Sequence, residues 1–180
     1  MISRLPGVLL AAGLSAGLVA CGNDGNAVPA PPPDPRAPVT LIAVSELRAA
    51  VPHLPEWTRG EITTQAGTTS DPGVHVLAIF SRGSEKLELE IADTGGDERA
   101  IESLEHLAGS AVNRTVGNGY FKGTVVSAFP AVESWNTVDH LGELSVLIRR
   151  RYILHVAGSG LADAAPMRTL AEAVDMSRLH

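Results

Sequence analysis

Positive charge, aromatic rings and cysteine are all scarce in this chain. Lysine and arginine number 14 against 20 aspartates and glutamates, for a formal net charge of −6. Nucleic-acid binders concentrate positive charge to displace counterions from phosphates, so this acidic balance argues against nucleic acid as a partner. Aromatic residues make up only 4% of the chain, and no acid, base and nucleophile constellation is visible, which counts against catalysis. The single cysteine, Cys21, excludes a disulfide within the chain, so the fold must rest on its hydrophobic core. No cofactor is implied by any motif. The apolar run from Leu5 to Val19 is about 15 residues, short of the roughly 20 that span a bilayer.

What is present at the start is organised around that cysteine. Residues 1–20 show a basic beginning with Arg4, the apolar run, and a small-residue end, the three-part layout of a secretory signal. Leu18-Val19-Ala20-Cys21 resembles the lipobox of the bacterial lipoproteins in all four places. The resemblance covers residues 1–21 only. It implies a thioether-linked diacylglyceryl group on Cys21, cleavage before that residue, and acylation of the new amino terminus. Two or more chains anchor firmly, since each buried methylene contributes about 0.8 kcal/mol. In that family an Asp directly after the cysteine retains the protein at the inner membrane. Here the residue is Gly22, which implies the periplasmic face of the outer membrane in a host that has one. The layout of residues 40–180 looks like that of uncharacterised envelope lipoproteins, without a specific family.

Three stretches follow from this reading: a signal over 1–20, a lipidated and proline-rich tether over 21–40, and a globular domain over 41–180. Six prolines lie between Pro29 and Pro38. Proline lacks a donor and fixes φ, so the tether reads as a solvated, extended spacer. The globular stretch reads as α+β, a single antiparallel sheet with helices packed on it. A short helix is expected over 41–51, with a strand over 39–44 as the alternative. A weak strand follows over 61–65, and Val74–Ser81 is apolar enough for a strand covered on both faces. Leu87, Leu89 and Ile91 alternate with Glu88 and Glu90, giving one dry and one wet face. Helices are expected from Asp97 to Ala108 and from Asp163 to Met176, with strands over 120–128, 143–148 and 152–156, and a loop through Pro130 and Trp135. The order of elements in Gly60–Gly109 and Tyr120–Met176 admits a reading as two β-β-β-α units.

The motifs that carry chemistry fail on spacing or context. Glu102 and His106 share a helix face, but two ligands do not make a zinc site. His75 and His155 read as packing or cross-strand hydrogen bonding. Asp93, Asp97 and Glu98 flank Gly95-Gly96 without an EF-hand pattern, and read as helix initiation. Gly117-Asn118-Gly119 precedes a strand where a dinucleotide site requires a helix, and Gly158-Ser159-Gly160 lacks the nucleophile-elbow spacing. The basic run Arg149, Arg150 and Arg151 falls between two strands, where a tight turn favours Gly or Asn, and matches an anionic ligand or acidic envelope partner. Trp57 reads as a lid over one end of the core. With Trp135, Glu88, Glu90 and Tyr120 it is expected to mark an exposed binding face. The expectation for function is a noncatalytic binding or positioning module held at the membrane by its lipid. The alternative is an envelope hydrolase or transferase whose groups meet only in three dimensions.

Overall fold

A computed structural model describes residues 40–68, 71–110 and 113–180. Cys21, the signal and most of the tether lie outside the described residues. Three helices, α1 (Val44–Ala50), α2 (Glu98–Gly109) and α3 (Ala165–Ala173), are set among nine strands. The strands are β1 (Thr58–Arg59), β2 (Thr63–Thr68), β3 (Asp71–Arg82), β4 (Glu85–Asp93), β5 (Asn113–Val116), β6 (Gly119–Val126), β7 (Phe129–Asn136), β8 (Leu141–Ile148) and β9 (Tyr152–Ser159). They join in one sheet of order β1-β3-β4-β9-β8-β7-β6-β5, with β2 also paired to β3, and every ladder is antiparallel.

This overturns the α+β class. The architecture is dominated by one nine-stranded sheet, with helices of 7, 12 and 9 residues as accessories to it. The two-unit reading falls for the same reason, because five strands, β5 to β9, separate α2 from α3. The stretch expected as a loop through Pro130 and Trp135 is β7, hydrogen-bonded on both sides to β6 and β8. Proline within this run suggested a break, yet Pro130 lies near the strand's beginning, where a missing N–H is tolerated.

The two faces of the sheet are treated differently. On the core face Val76, Phe80, Leu87, Leu89, Ile91, Leu144, Val146, Leu154 and Val156 are fully buried, beneath α1, α3 and the terminal 3₁₀ turn Met176–Arg178. Gly142 and Gly158 are cross-strand partners there, and a Cβ on either would come within 3.0 Å of Met167 on α3. Two adjacent positions without side chains therefore let that helix settle close to the sheet. On the opposite face α2 alone, among the described residues, provides cover. Its Ile101 and Leu104 pack on Val132 and Leu147, and a Cβ on Gly123 would meet the Ala108 carbonyl oxygen at 2.4 Å. Asp97 caps α2 by accepting from the Arg99 N–H at 3.0 Å, which satisfies an otherwise unpaired donor.

Because α2 covers one end of this face, the rest stays open. The strand expected to be dry on both sides is the clearest correction, since Ile79 is 52% exposed. β8 records the change of cover along its length. Leu141, Glu143 and Ser145 face outward between the buried Gly142, Leu144 and Val146, and the strand becomes wholly buried from Val146 to Ile148, where α2 lies on its outer side.

Candidate functional site

The open face forms a groove of about 760 Å³ running from β3 to β5, a volume within the range of small-molecule sites. Strand register builds its floor. One transverse row reads Ile79, Glu88, Ala157, Glu143, Ser134, Phe121 and Arg114, each paired with the next. The adjacent row contains Lys86, Ser159, Leu141, Asn136 and Val116. Alternation within strands puts both rows on one face. Small side chains at Ala157, Ser159 and Ser134 keep the centre low, while Ile79, Leu141 and Val116, all large and exposed, supply apolar surface. Glu88, Glu143, Lys86 and Arg114 are exposed and have no hydrogen-bond or ion-pair partner among the described residues. Beyond this floor the same face carries two side-chain contacts, His75 Nδ1 to Glu90 Oε1 at 2.6 Å and His155 Nδ1 to Ser145 Oγ at 3.0 Å.

The residues expected to form one binding face are divided by the sheet. Glu88 and Glu90 are on the open face, whereas Tyr120 and Trp135 pair across β6 and β7 on the core side. Trp135 is 6% exposed and borders the groove from beneath, beside Gly142. Trp57 is buried in the core cluster on another part of the sheet, with the Arg82 guanidinium 4.6 Å above its ring. It does not line the groove that Trp135 borders.

The three arginines are also separated in role. Arg149 and Arg150 occupy the β8–β9 turn with φ of 53° and 54°, a conformation that glycine or asparagine adopts more readily. Arg150 is ion-paired with Glu105 on α2. Arg151 points inward, its Nε and a terminal nitrogen donating to the two oxygens of Asp93 at 2.9 and 2.7 Å. Asp93, read as a helix-initiating acid, is completely buried and also accepts from the Ile42 and Gly95 N–H groups. Burial pushes its carboxyl upward, but the Arg151 hydrogen bonds and charge and the two backbone donors hold it below the usual aspartate range. Arg151 further donates to the Thr40 carbonyl at 2.8 Å. The pair thus fastens the segment just ahead of α1 to the end of β4.

A second buried carboxylate, Glu133, lies in β7, where the sequence suggests a loop. It is 1% exposed on the core side. Tyr120 Oη donates to Oε1 at 2.5 Å, Lys122 Nζ lies 2.9 Å from Oε1, and Arg168 Nε of α3 lies 2.5 Å from Oε2. Burial raises the Glu133 carboxyl, and these three partners together bring it below the ordinary glutamate range. Burial, then the Glu133 carboxylate, push the Tyr120 hydroxyl well above the usual phenol range. The cluster ties β6, β7 and α3 together. Alternation of Ala131, Glu133 and Trp135 with Val132 and Ser134 was the available signal for this strand. Leu141, Glu143 and Ser145 carried a similar signal in β8.

Among the described residues, no group of three or more His, Cys, Asp or Glu side chains is gathered to hold a metal. No family model, curated protein or solved structure matches the chain.

Proposed function

We propose that this chain is a lipid-anchored protein of a bacterial envelope that holds a ligand in the open-face groove without transforming it. The observation that carries the reading is the groove itself, about 760 Å³ of space floored by small residues and bordered by exposed Ile79, Leu141 and Val116. Apolar side chains lining a concavity of this size are characteristic of ligand sites. The lipobox at Leu18–Cys21 supports the anchor. The segment ahead of α1 is held beside Asp93, while the groove borders Lys86 and Leu87 of the same strand. Six or seven residues of extended chain separate them, about 20 Å, so the groove opens at the strand ends remote from the tether junction.

Trp135 provides the test, because only two tryptophans exist and Trp57→Phe leaves it as the sole emitter. Titration of that full-length variant with octyl amphiphiles should shift Trp135 emission saturably. Leu141→Asp should abolish the shift while leaving the melting temperature nearly unchanged. A flat titration with every amphiphile rejects the groove as a binding site. Separately, Cys21→Ser should abolish fatty-acid labelling and leave an unprocessed precursor. A hydrolytic reading has one observation in its favour, Glu88 and Glu143 facing the same groove on either side of Ala157. Turnover of an envelope substrate that is lost in Glu143→Gln would establish it in place of simple binding.

A further inference from the structure

We propose that the ligand of the groove is a cationic amphiphile, an ammonium group on an apolar body, with its charge seated over Ala157 between Glu88 and Glu143. This rests on the groove reading above and adds the ligand's chemical class. The two glutamates occupy one transverse row with only Ala157 between them. Two strand spacings separate their backbones, about 10 Å. Two flexible side chains can converge on one cation from that distance, and alanine leaves the space above the floor clear. Neither carboxylate is neutralised by an ion pair among the described residues.

The groove's two cations cannot serve an anion in the same way. Lys86 is on β4 and Arg114 on β5, in different rows and at opposite ends of the groove. Five strand spacings, about 24 Å measured along the sheet, lie between them, against two between the carboxylates. Lys86 stands two residues from Glu88 on the same strand, and its long flexible stem can move outward when a ligand cation arrives. Beside the carboxylates, Ile79 is the cross-strand partner of Glu88, and Leu141 is two residues from Glu143 on the outward side of β8. Apolar surface therefore adjoins the negative centre, as a cation on a hydrocarbon body requires.

The experiment compares octylammonium, octyl sulfate and octyl glucoside below their micelle concentrations, by calorimetry and by Trp135 emission, with the full chain in low salt. Octylammonium should bind about tenfold more tightly than octyl sulfate, as two exposed charge contacts permit, and salt should shrink the difference. The double variant Glu88→Gln, Glu143→Gln should lose this preference, retain octyl glucoside binding and melt as the parent does. Equal or tighter binding of octyl sulfate overturns the cationic class while leaving the groove reading intact, as does a preference that survives in the double variant. Absence of binding by all three probes overturns both.

Discussion

The two faces of the sheet share strands and backbone but are subject to opposite demands. Leu89, Leu144 and Val156 are wholly buried on one face, whereas Glu88, Glu143 and Ala157, each next in sequence to one of them, floor the groove on the other. The core face carries stability because helices cover it, and its charged groups are tolerated only where several partners meet them. Outside the patch under α2, the open face buries little apolar surface, so its exposed side chains are less constrained by stability. Substitutions should separate the faces accordingly.

The largest effect is expected from Arg151→Met. It leaves Asp93 buried without its charge partner and should cost about 3 to 5 kcal/mol, read as a loss of unfolding free energy in urea. Arg150→Met removes an exposed pair with Glu105 and should cost less than about 1 kcal/mol. Similar losses from the two variants would remove the distinction drawn between these arginines.

Next, Leu154→Ala on the core face should cost about 2 to 5 kcal/mol through lost transfer energy and a cavity. Leu141→Ala, at a site that is 49% exposed, should stay within about 0.5 kcal/mol of the parent while weakening amphiphile binding. If Leu141→Ala destabilises as much as Leu154→Ala, the open face is part of the core after all.

Acid should also act through the core face. Asp93 and Glu133 are both held below their ordinary values of 3.8 and 4.5. Between the folded and unfolded values the unfolded chain binds more protons, so stability rises with pH there. Their contribution is complete at neutral pH, begins to fall once pH approaches those ordinary values, and is lost as pH drops through the folded ones. Melting temperature measured from pH 7 to 2.5 should show this decline, and Glu133→Gln should make it shallower. An unchanged acid limb in that variant would assign the loss to other groups.

The smallest expected change is a gain. Arg149→Gly relieves a left-handed backbone costing roughly 1 to 2 kcal/mol for a non-glycine residue, less the roughly 0.5 to 1 kcal/mol of extra freedom glycine has when unfolded. A net stabilisation of about 0.5 kcal/mol should appear in melting, with amphiphile binding unaltered. Weaker binding would bring the basic turn back into the site.

Much of the strand content was legible because dry and wet residues alternate in β4 and β9, and the helix over Asp97–Ala108 announced itself through its cap and its stripe of Ile101 and Leu104. The dominance of the sheet was not legible. Pro130 and the mixed residues around Trp135 obscured β7, and with β7 unseen the register joining β6 to β8 had no basis. The sequence offers Trp57 and Trp135 as parts of one face. Nothing local indicates that one lies under Arg82 and the other against Gly142.

By itself the sequence determined the acidic balance, the proline-rich stretch from Pro29 to Pro38, and the two-residue alternation that gives β4, β8 and β9 a dry side. These are local properties, set by composition and by the geometry of a single strand. Only the tertiary structure decided that seven strands align Ile79 to Arg114 in one row, that Arg151 is paired with Asp93, and that Glu133 is buried among Tyr120, Lys122 and Arg168. Each of these depends on pairing between residues far apart in the chain. A shift of one residue in any register would have sent the same side chains to the other face.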